Sequence, residues 1–403
     1  MNKIPRILIV TLVFIMGLIT AQDIRSILKN NIHLRQGPGC YYPLIKILNI
    51  GDSVNVLSLK TGWAEVNHKD TTGWIFNKCF SPKKNNTRVT DKIIMEDGPT
   101  SISNITASGA VKGFTTKHYG KSDGGHKKFL SKSFLDIKEY KAIKTSMTNN
   151  RHSRKKYRNL TKKKKDFHID SKLQNIGDLV VEQIATKGFI TDKKKLSYIN
   201  SIGTLILEET DMYYHQVKIF IIDDHHKAAY ATPNGMVFIT TGLLEMIQDE
   251  AELACVLGHE ISHIIYQHGY EELEERKVVI KADGAFASLD MEIGEEKSKE
   301  QLELEDLSNK FYENATAPRQ IGYEYEADKM GVIYASKAGY DPYALTRLLA
   351  RLKSESKIDF ENYESNWEKR YIGDRIDKVS RFIGHHLEPN NIRNKSRYNS
   401  VFR

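Results

Sequence analysis

The sequence predicts a multidomain chain: a small all-β barrel at the N-terminus, then a mainly α-helical (α+β) domain, joined by a basic linker. Three observations predict it. Residues 24–82 alternate short apolar runs with glycine breaks, as in YYPLIKILNIGDSVNVLSL and GWAEVNHKDTTGWIFNKCFS, the mark of short strands and tight turns. From residue 171 onward apolar residues recur at helical spacing, with Leu173, Ile176, Leu179, Val180 and Ile184 on one stripe and Leu196, Ile199, Ile202, Leu205 and Ile206 on another. Between them, residues 83–170 sustain neither period and are rich in Lys, Asn, Ser and Thr, so they read as a linker, partly disordered. Within it, residues 103–114 are small-residue rich and suggest a short helix.

A chain of 403 residues suits two folded units plus a linker. Hydrophobic residues at 40% supply a core, while 28% charged residues and a mean hydropathy of −0.47 exclude a multi-span membrane protein. The N-terminus places Lys3 and Arg6 before an apolar run over residues 7–19 and ends that run at Thr20 and Ala21. That layout predicts a signal peptide over residues 1–21 and an exported chain, periplasmic or secreted. The run is shorter than the roughly 20 residues of a spanning helix, so the other reading is an uncleaved tether, the one expected route to a membrane. Cys40 and Cys79 lie at opposite ends of the predicted barrel and leave two readings open, a disulfide or two separate buried thiols. The net charge of +9 is densest over residues 151–165; an exported chain makes nucleic acid an unfitting partner, an anionic cell-wall polymer or membrane surface fits better, and a solvated linker explains the charge best.

Residues 217–222 (VKIFII) and 236–240 (MVFIT), the latter entered through Pro-Asn-Gly, predict a strand pair, and residues 243–268 a long helix. That helix carries His-Glu-Ile-Ser-His at 259–263. Residues four apart share a helix face, so His259 and His263 aim both imidazoles at one point about 2.0 Å from each, the zinc–nitrogen distance. Glu260 lies at the edge of that face, within reach of a water at the metal, where it serves as general base. Val256, Leu257, Ile261, Ile264 and Ile265 predict a helix buried except where the histidines open to a cleft. A catalytic zinc takes three protein ligands and an open position. In EYEADKMG, Glu324 and Asp328 are again four apart: Glu324 suits the third ligand, Asp328 a hydrogen bond that orients a ligating histidine, and Glu326 a surface position. His268, five residues past His263, turns off the ligand face and reads as structural or near the cleft rim rather than as a fourth ligand. Residues 270–322, rich in Glu and Lys, suggest a lid or a solvated hairpin.

Residues 24–82 resemble a bacterial SH3 domain, with LRQGPG, IGDSVNVL and the two Gly-Trp strands as matching strings. The resemblance implies a module for peptides or cell-wall peptidoglycan, with Tyr41, Tyr42, Trp63 and Trp74 as its surface; the alternative places both tryptophans in the core. Residues 171–390 resemble the metallopeptidase family of the CAAX prenyl protease, HtpX and the Oma proteases, and its soluble periplasmic BepA-type members, through TGLLEMIQDEAELACVLGHEISHIIYQHG, EYEADKMG and AGYDP. This implies a gluzincin-type zinc endopeptidase with one Zn2+ per chain on His259, His263 and Glu324, Glu260 as base, Asp328 behind a ligand, and protein or peptide substrates. It also implies that Met236, Val237, Phe238 and Ile239 form an exposed edge strand for an extended substrate. Two departures stand out. Ala228-Ala229-Tyr230-Ala231 replaces the usual Asn-Ala-Phe-Ala, and Lys369 and Arg370 replace a His-Pro pair upstream of Arg375 and Ile376, so Arg375 alone is carried over as a residue lining the site. A latent protease acting as a chaperone or binding module, and a peptidase of peptidoglycan cross-links, are the alternative functions.

Overall fold

The computed structural model describes residues 23–29, 32–60, 62–80, 125–147, 157, 160, 171–210, 217–271, 321–355 and 363–403. The signal-peptide segment, the expected helix at 103–114 and most of the suggested lid lie outside these residues.

Six strands build the N-terminal unit: β1 (Ile24–Ser26), β2 (Ile32–Arg35), β3 (Leu44–Leu48), β4 (Ser53–Lys60), β5 (Trp63–His68) and β6 (Thr71–Phe76). They form an antiparallel sheet in the order β1-β4-β5-β6-β2-β3 around Ile27, Leu34, Leu48, Val54, Val66 and Ile75. In β5 the alternation of the sequence survives as buried Ala64, Val66 and His68 against half-buried Glu65 and Asn67. Trp63 and Trp74 are buried, at 5% and 8% exposure, so the expectation of a tryptophan recognition surface is corrected. A barrel this small needs its largest side chains for burial. Tyr41 and Tyr42 are half-buried within the chain, Tyr41 against Tyr140 at 4.8 Å between ring centroids and Tyr42 under Lys141 at 5.7 Å. Cys40 and Cys79 are buried in different cores, as separate thiols rather than a disulfide.

Two helices form inside the segment expected to be linker, α1 (Gly125–Ser131) and α2 (Ile137–Met147). Tyr140, Ile143 and Met147 recur at helical spacing on α2 and enter the main core, which is why so short a helix holds.

The second unit contains α3 (Ser171–Ala185), α4 (Lys193–Leu207), β7 (Lys218–Ile222), β8 (Ala229–Ala231), β9 (Met236–Thr240), α5 (Thr241–Met246), α6 (Glu250–Ile265), α7 (Ile321–Ala338), α8 (Ala344–Glu355), α9 (Tyr363–His386) and α10 (Lys395–Phe402). The long helix expected at 243–268 is two helices. Ile247 is extended with ψ 132°, and Asp249 caps α6 by accepting from the Glu252 amide. The strand pair is a three-stranded sheet, β7-β9-β8, with β7 parallel and β8 antiparallel to β9. β9 is therefore the central strand, and Val237, Phe238 and Ile239 are fully buried, which corrects the expected substrate edge. The outer side of β7 is taken: the Asn200 side chain accepts from the Ile219 amide at 3.0 Å and donates to its carbonyl at 2.8 Å, and Ile190 donates to Ile221 at 2.9 Å. The sheet's other edge is β8, which packs against α6.

Candidate metal centre

Helix α6 is buried on every side, and its first turn carries Glu250 and Glu252, which favour the positive end of the helix. Its closest neighbour is α7, and the contact is made by glycine on glycine. A Cβ on Gly331 would lie 2.8 Å from the His259 backbone nitrogen, and one on Gly258 would lie 2.9 Å from the Gly331 carbonyl oxygen. Only this close crossing lets the carboxylates of α7 reach the histidines of α6. Gly331→Ala is expected to push the helices apart, lowering stability by about 1–3 kcal/mol and weakening metal retention together; thermal unfolding and metal titration of the same variant check both.

The two helices bring His259, His263 and Glu324 together, with one ligand atom from each inside 4.8 Å of the others. The Nε2 atoms of His259 and His263 are 3.0 Å apart. Glu324 Oε1 lies 3.3 Å from His263 Nε2, and its Oε2 lies 3.5 Å from His259 Nε2. Two ligands about 2.0–2.1 Å from one tetrahedral zinc stand about 3.3 Å apart, so the three separations fit such an ion. Glu260 places Oε1 4.0 Å from His259 Nε2, beside the cluster rather than in it.

Asp328 is fully buried and its Oδ1 lies 2.9 Å from His259 Nδ1, which leaves Nε2 for the cluster. Arg375 on α9 donates through Nε to Asp328 Oδ2 and through Nη2 to Oδ1, each at 2.7 Å, and its Nη1 lies 3.1 Å from Glu324 Oε2. Burial opposes a charge on Glu324, yet Arg375 and His259 hold its carboxyl well below the usual range. Burial likewise opposes a charge on His259, but Glu324 and Asp328 override it and lift the imidazole to about 10. The cluster thus favours positive charge at its centre, the demand that a divalent cation meets.

Three further side chains stand at the site in contacts that spacing does not reveal. His268 backs a histidine of the cluster: its Nδ1 lies 2.9 Å from His263 Nδ1, and its Nε2 lies 3.3 Å from Glu326 Oε2. A helix continued past residue 265 would carry His268 away, but Gln267 adopts φ +53° and turns the chain back. No periodicity signals that turn. Glu326, expected at the surface, is thereby tied to the centre. Tyr371, one turn before Arg375, has its ring 5.7 Å from that guanidinium, and burial together with the charge of Glu324 raises its phenol above the ordinary value. Residues 369 and 370 themselves lie within α9.

Both units of the chain match known protein families. Residues 193–386 match the model of peptidase family M48, and residues 30–81 match that of the bacterial SH3 domain. A beta-barrel assembly-enhancing protease of Yersinia pestis is 27% identical over 190 residues, covering 45% of this chain and 38% of that protein. Its counterpart in Escherichia coli K12 is 25% identical over 189 residues, again 45% of this chain and 38% of the other. A mitochondrial metalloendopeptidase OMA1 of Schizosaccharomyces pombe is 29% identical over 156 residues, 38% of this chain and 43% of that one. The chain thus spans about two-fifths of the length of the curated relatives it matches. Its residues 193–386 form a domain of peptidase family M48, which follows a bacterial SH3 domain at residues 30–81.

Proposed function

We propose that the chain is an exported zinc-dependent endopeptidase that cuts polypeptides in an extended conformation. The observation that carries this reading is the convergence of His259 Nε2, His263 Nε2 and Glu324 within hydrogen-bond distances of one another, with Glu260 beside them. His259, His263 and Glu324 would hold one zinc ion, which when bound acidifies a water and polarises the scissile carbonyl. Glu260 takes a proton from the attacking water and delivers it to the leaving amine. Asp328 keeps His259 in the tautomer and orientation its role needs, and Arg375 holds Asp328 and Glu324 in place through charge-assisted hydrogen bonds. The extended substrate pairs with β8, Ala229–Ala231, the edge strand of the sheet and the one near α6, in place of β9.

Envelope or misfolded proteins are the proposed substrates, a class suggested by the resemblance to the periplasmic members. The N-terminal SH3 domain, whose tryptophans are buried and whose Tyr41 packs on α2, is proposed to place the protease rather than to read a ligand with those aromatics. Export rests on the layout of residues 1–21; among the described residues no helix is long and apolar enough to cross a membrane.

The purified chain is expected to contain one zinc and to cleave an unfolded protein such as casein. Stripping the metal with a chelator abolishes cleavage, and stoichiometric zinc restores it. Zinc without cleavage would favour the chaperone or binding-module reading, and release of stem peptides from purified sacculi would move the substrate to the cell wall.

A further inference from the structure

The two histidines of the centre are backed differently. His259 meets a carboxylate directly, through Asp328 at 2.9 Å. His263 meets a second imidazole, His268, at 2.9 Å between their Nδ1 atoms, and only beyond it a carboxylate, Glu326, at 3.3 Å. The protons of this chain can be placed by elimination. His263 turns Nε2 toward His259 and Glu324, so the nitrogen that remains, Nδ1, carries the proton and donates. His268 must then accept on Nδ1, which puts its own proton on Nε2, and that N–H points to the Glu326 carboxylate. Each link determines the tautomer of the next.

His268 is held for this task. It is fully buried, and its ring stacks with Tyr323, 4.7 Å away and 25° from parallel, and with Tyr266, 5.7 Å away and 17° from parallel. These contacts restrict the plane of the imidazole and so the direction of both its nitrogens. The chain reaches this position through a left-handed Gln267, a conformation that L-residues other than glycine, asparagine and aspartate seldom adopt and that disfavours glutamine by roughly 1–2 kcal/mol. Strain at the residue joining a metal-ligand helix to a hydrogen-bond partner of that ligand is accounted for if the partner matters.

We propose that His268 and Glu326 are positioning residues for the metal centre: a Glu326–His268–His263 chain that sets the tautomer and ring orientation of His263, as Asp328 does for His259. The proposal rests on the zinc-centre reading above, and the test separates the two. Zinc affinity of the apo chain is measured by competition with a chromogenic chelator, with the absorption spectrum of the Co2+-loaded protein as a second readout. Wild type is expected to bind one ion tightly and His259→Ala to lose it; if wild type binds none, the zinc reading fails and the chain is beside the point. His268→Phe preserves the stacking with Tyr266 and Tyr323 but removes the acceptor, and is expected to bind zinc 10–100-fold more weakly with an altered Co2+ spectrum. Glu326→Leu, at a partly exposed position, is expected to weaken binding in the same direction, while Glu326→Gln, whose side-chain oxygen still accepts from His268, retains most of the affinity. Should His268→Phe fail to fold, the Glu326 pair decides alone. Zinc affinity within about twofold of wild type in a folded His268→Phe, or in Glu326→Leu, overturns the proposal.

Discussion

Glu260→Gln is expected to lower the rate of peptide cleavage by about 10²- to 10⁴-fold and to leave the zinc content unchanged. The substitution keeps the volume and the burial of the side chain, at 7% exposure in wild type, and removes only its ability to take a proton. Because Glu260 stands beside the cluster of His259, His263 and Glu324 and contributes no atom to it, the ligands survive. The measurement is zinc per chain by elemental analysis beside casein turnover, on the same preparation. Loss of zinc in Glu260→Gln would move this carboxylate into the ligand set, and undiminished turnover would remove it from the chemistry.

The second large effect is on stability and lies at the opposite end of the same helix. Glu250 is fully buried at the start of α6, where it accepts from Tyr198 Oη at 2.6 Å, Tyr340 Oη at 2.8 Å and Asn394 Nδ2 at 2.9 Å and pairs with Arg397. These partners come from α4, the segment after α7, and the C-terminal α10. Truncation to Ala would leave two buried phenols and a partly buried guanidinium without their acceptor. Removing one partner of such a network costs about 3–5 kcal/mol, with Arg397, 28% exposed, holding the figure toward the lower end. At roughly 2–4 °C per kcal/mol for a domain of this size, Glu250→Ala is expected to lower the unfolding midpoint by roughly 6–20 °C. Glu245→Ala, on the exposed side of α5, is the control and stays within about 0.5 kcal/mol of wild type. A Glu250→Ala chain as stable as that control would show the network to be dispensable. Since α6 carries two of the proposed metal ligands, the unstable variant is also expected to release zinc at lower temperature.

The two effects separate the roles of one helix: its N-terminal end anchors it in the core through Glu250, and its C-terminal half presents the chemistry. Gly258 stands in that half, where it allows α7 to approach.

Much of the site was legible because helical periodicity is a local property. Four-residue spacing put His259 with His263 and Glu324 with Asp328 on shared faces before any fold was known, and the buried flanks of α6 follow from the apolar residues around them. The same local logic found the strands of the barrel, β7, β9 and the helices α3 and α4. It failed wherever a side chain's surroundings come from distant chain. Trp63 and Trp74 are as consistent with a surface as with a core until burial is known. A three-residue strand such as β8 carries too little pattern to be seen, and it covers the side of β9 that the resemblance implies as an edge. The α2 helix was hidden in a lysine-rich stretch because three buried side chains suffice once a core exists for them.

By itself, then, the sequence singled out the side chains of the candidate centre, since residue type and helical spacing are written in contiguous chain. Only the tertiary structure decided which carboxylate backs which histidine: Asp328 behind His259, Arg375 clamping Asp328 to Glu324, and Glu326 reaching His263 through His268. Those pairings depend on a glycine–glycine helix crossing and a left-handed Gln267, and both are products of packing that no local periodicity encodes.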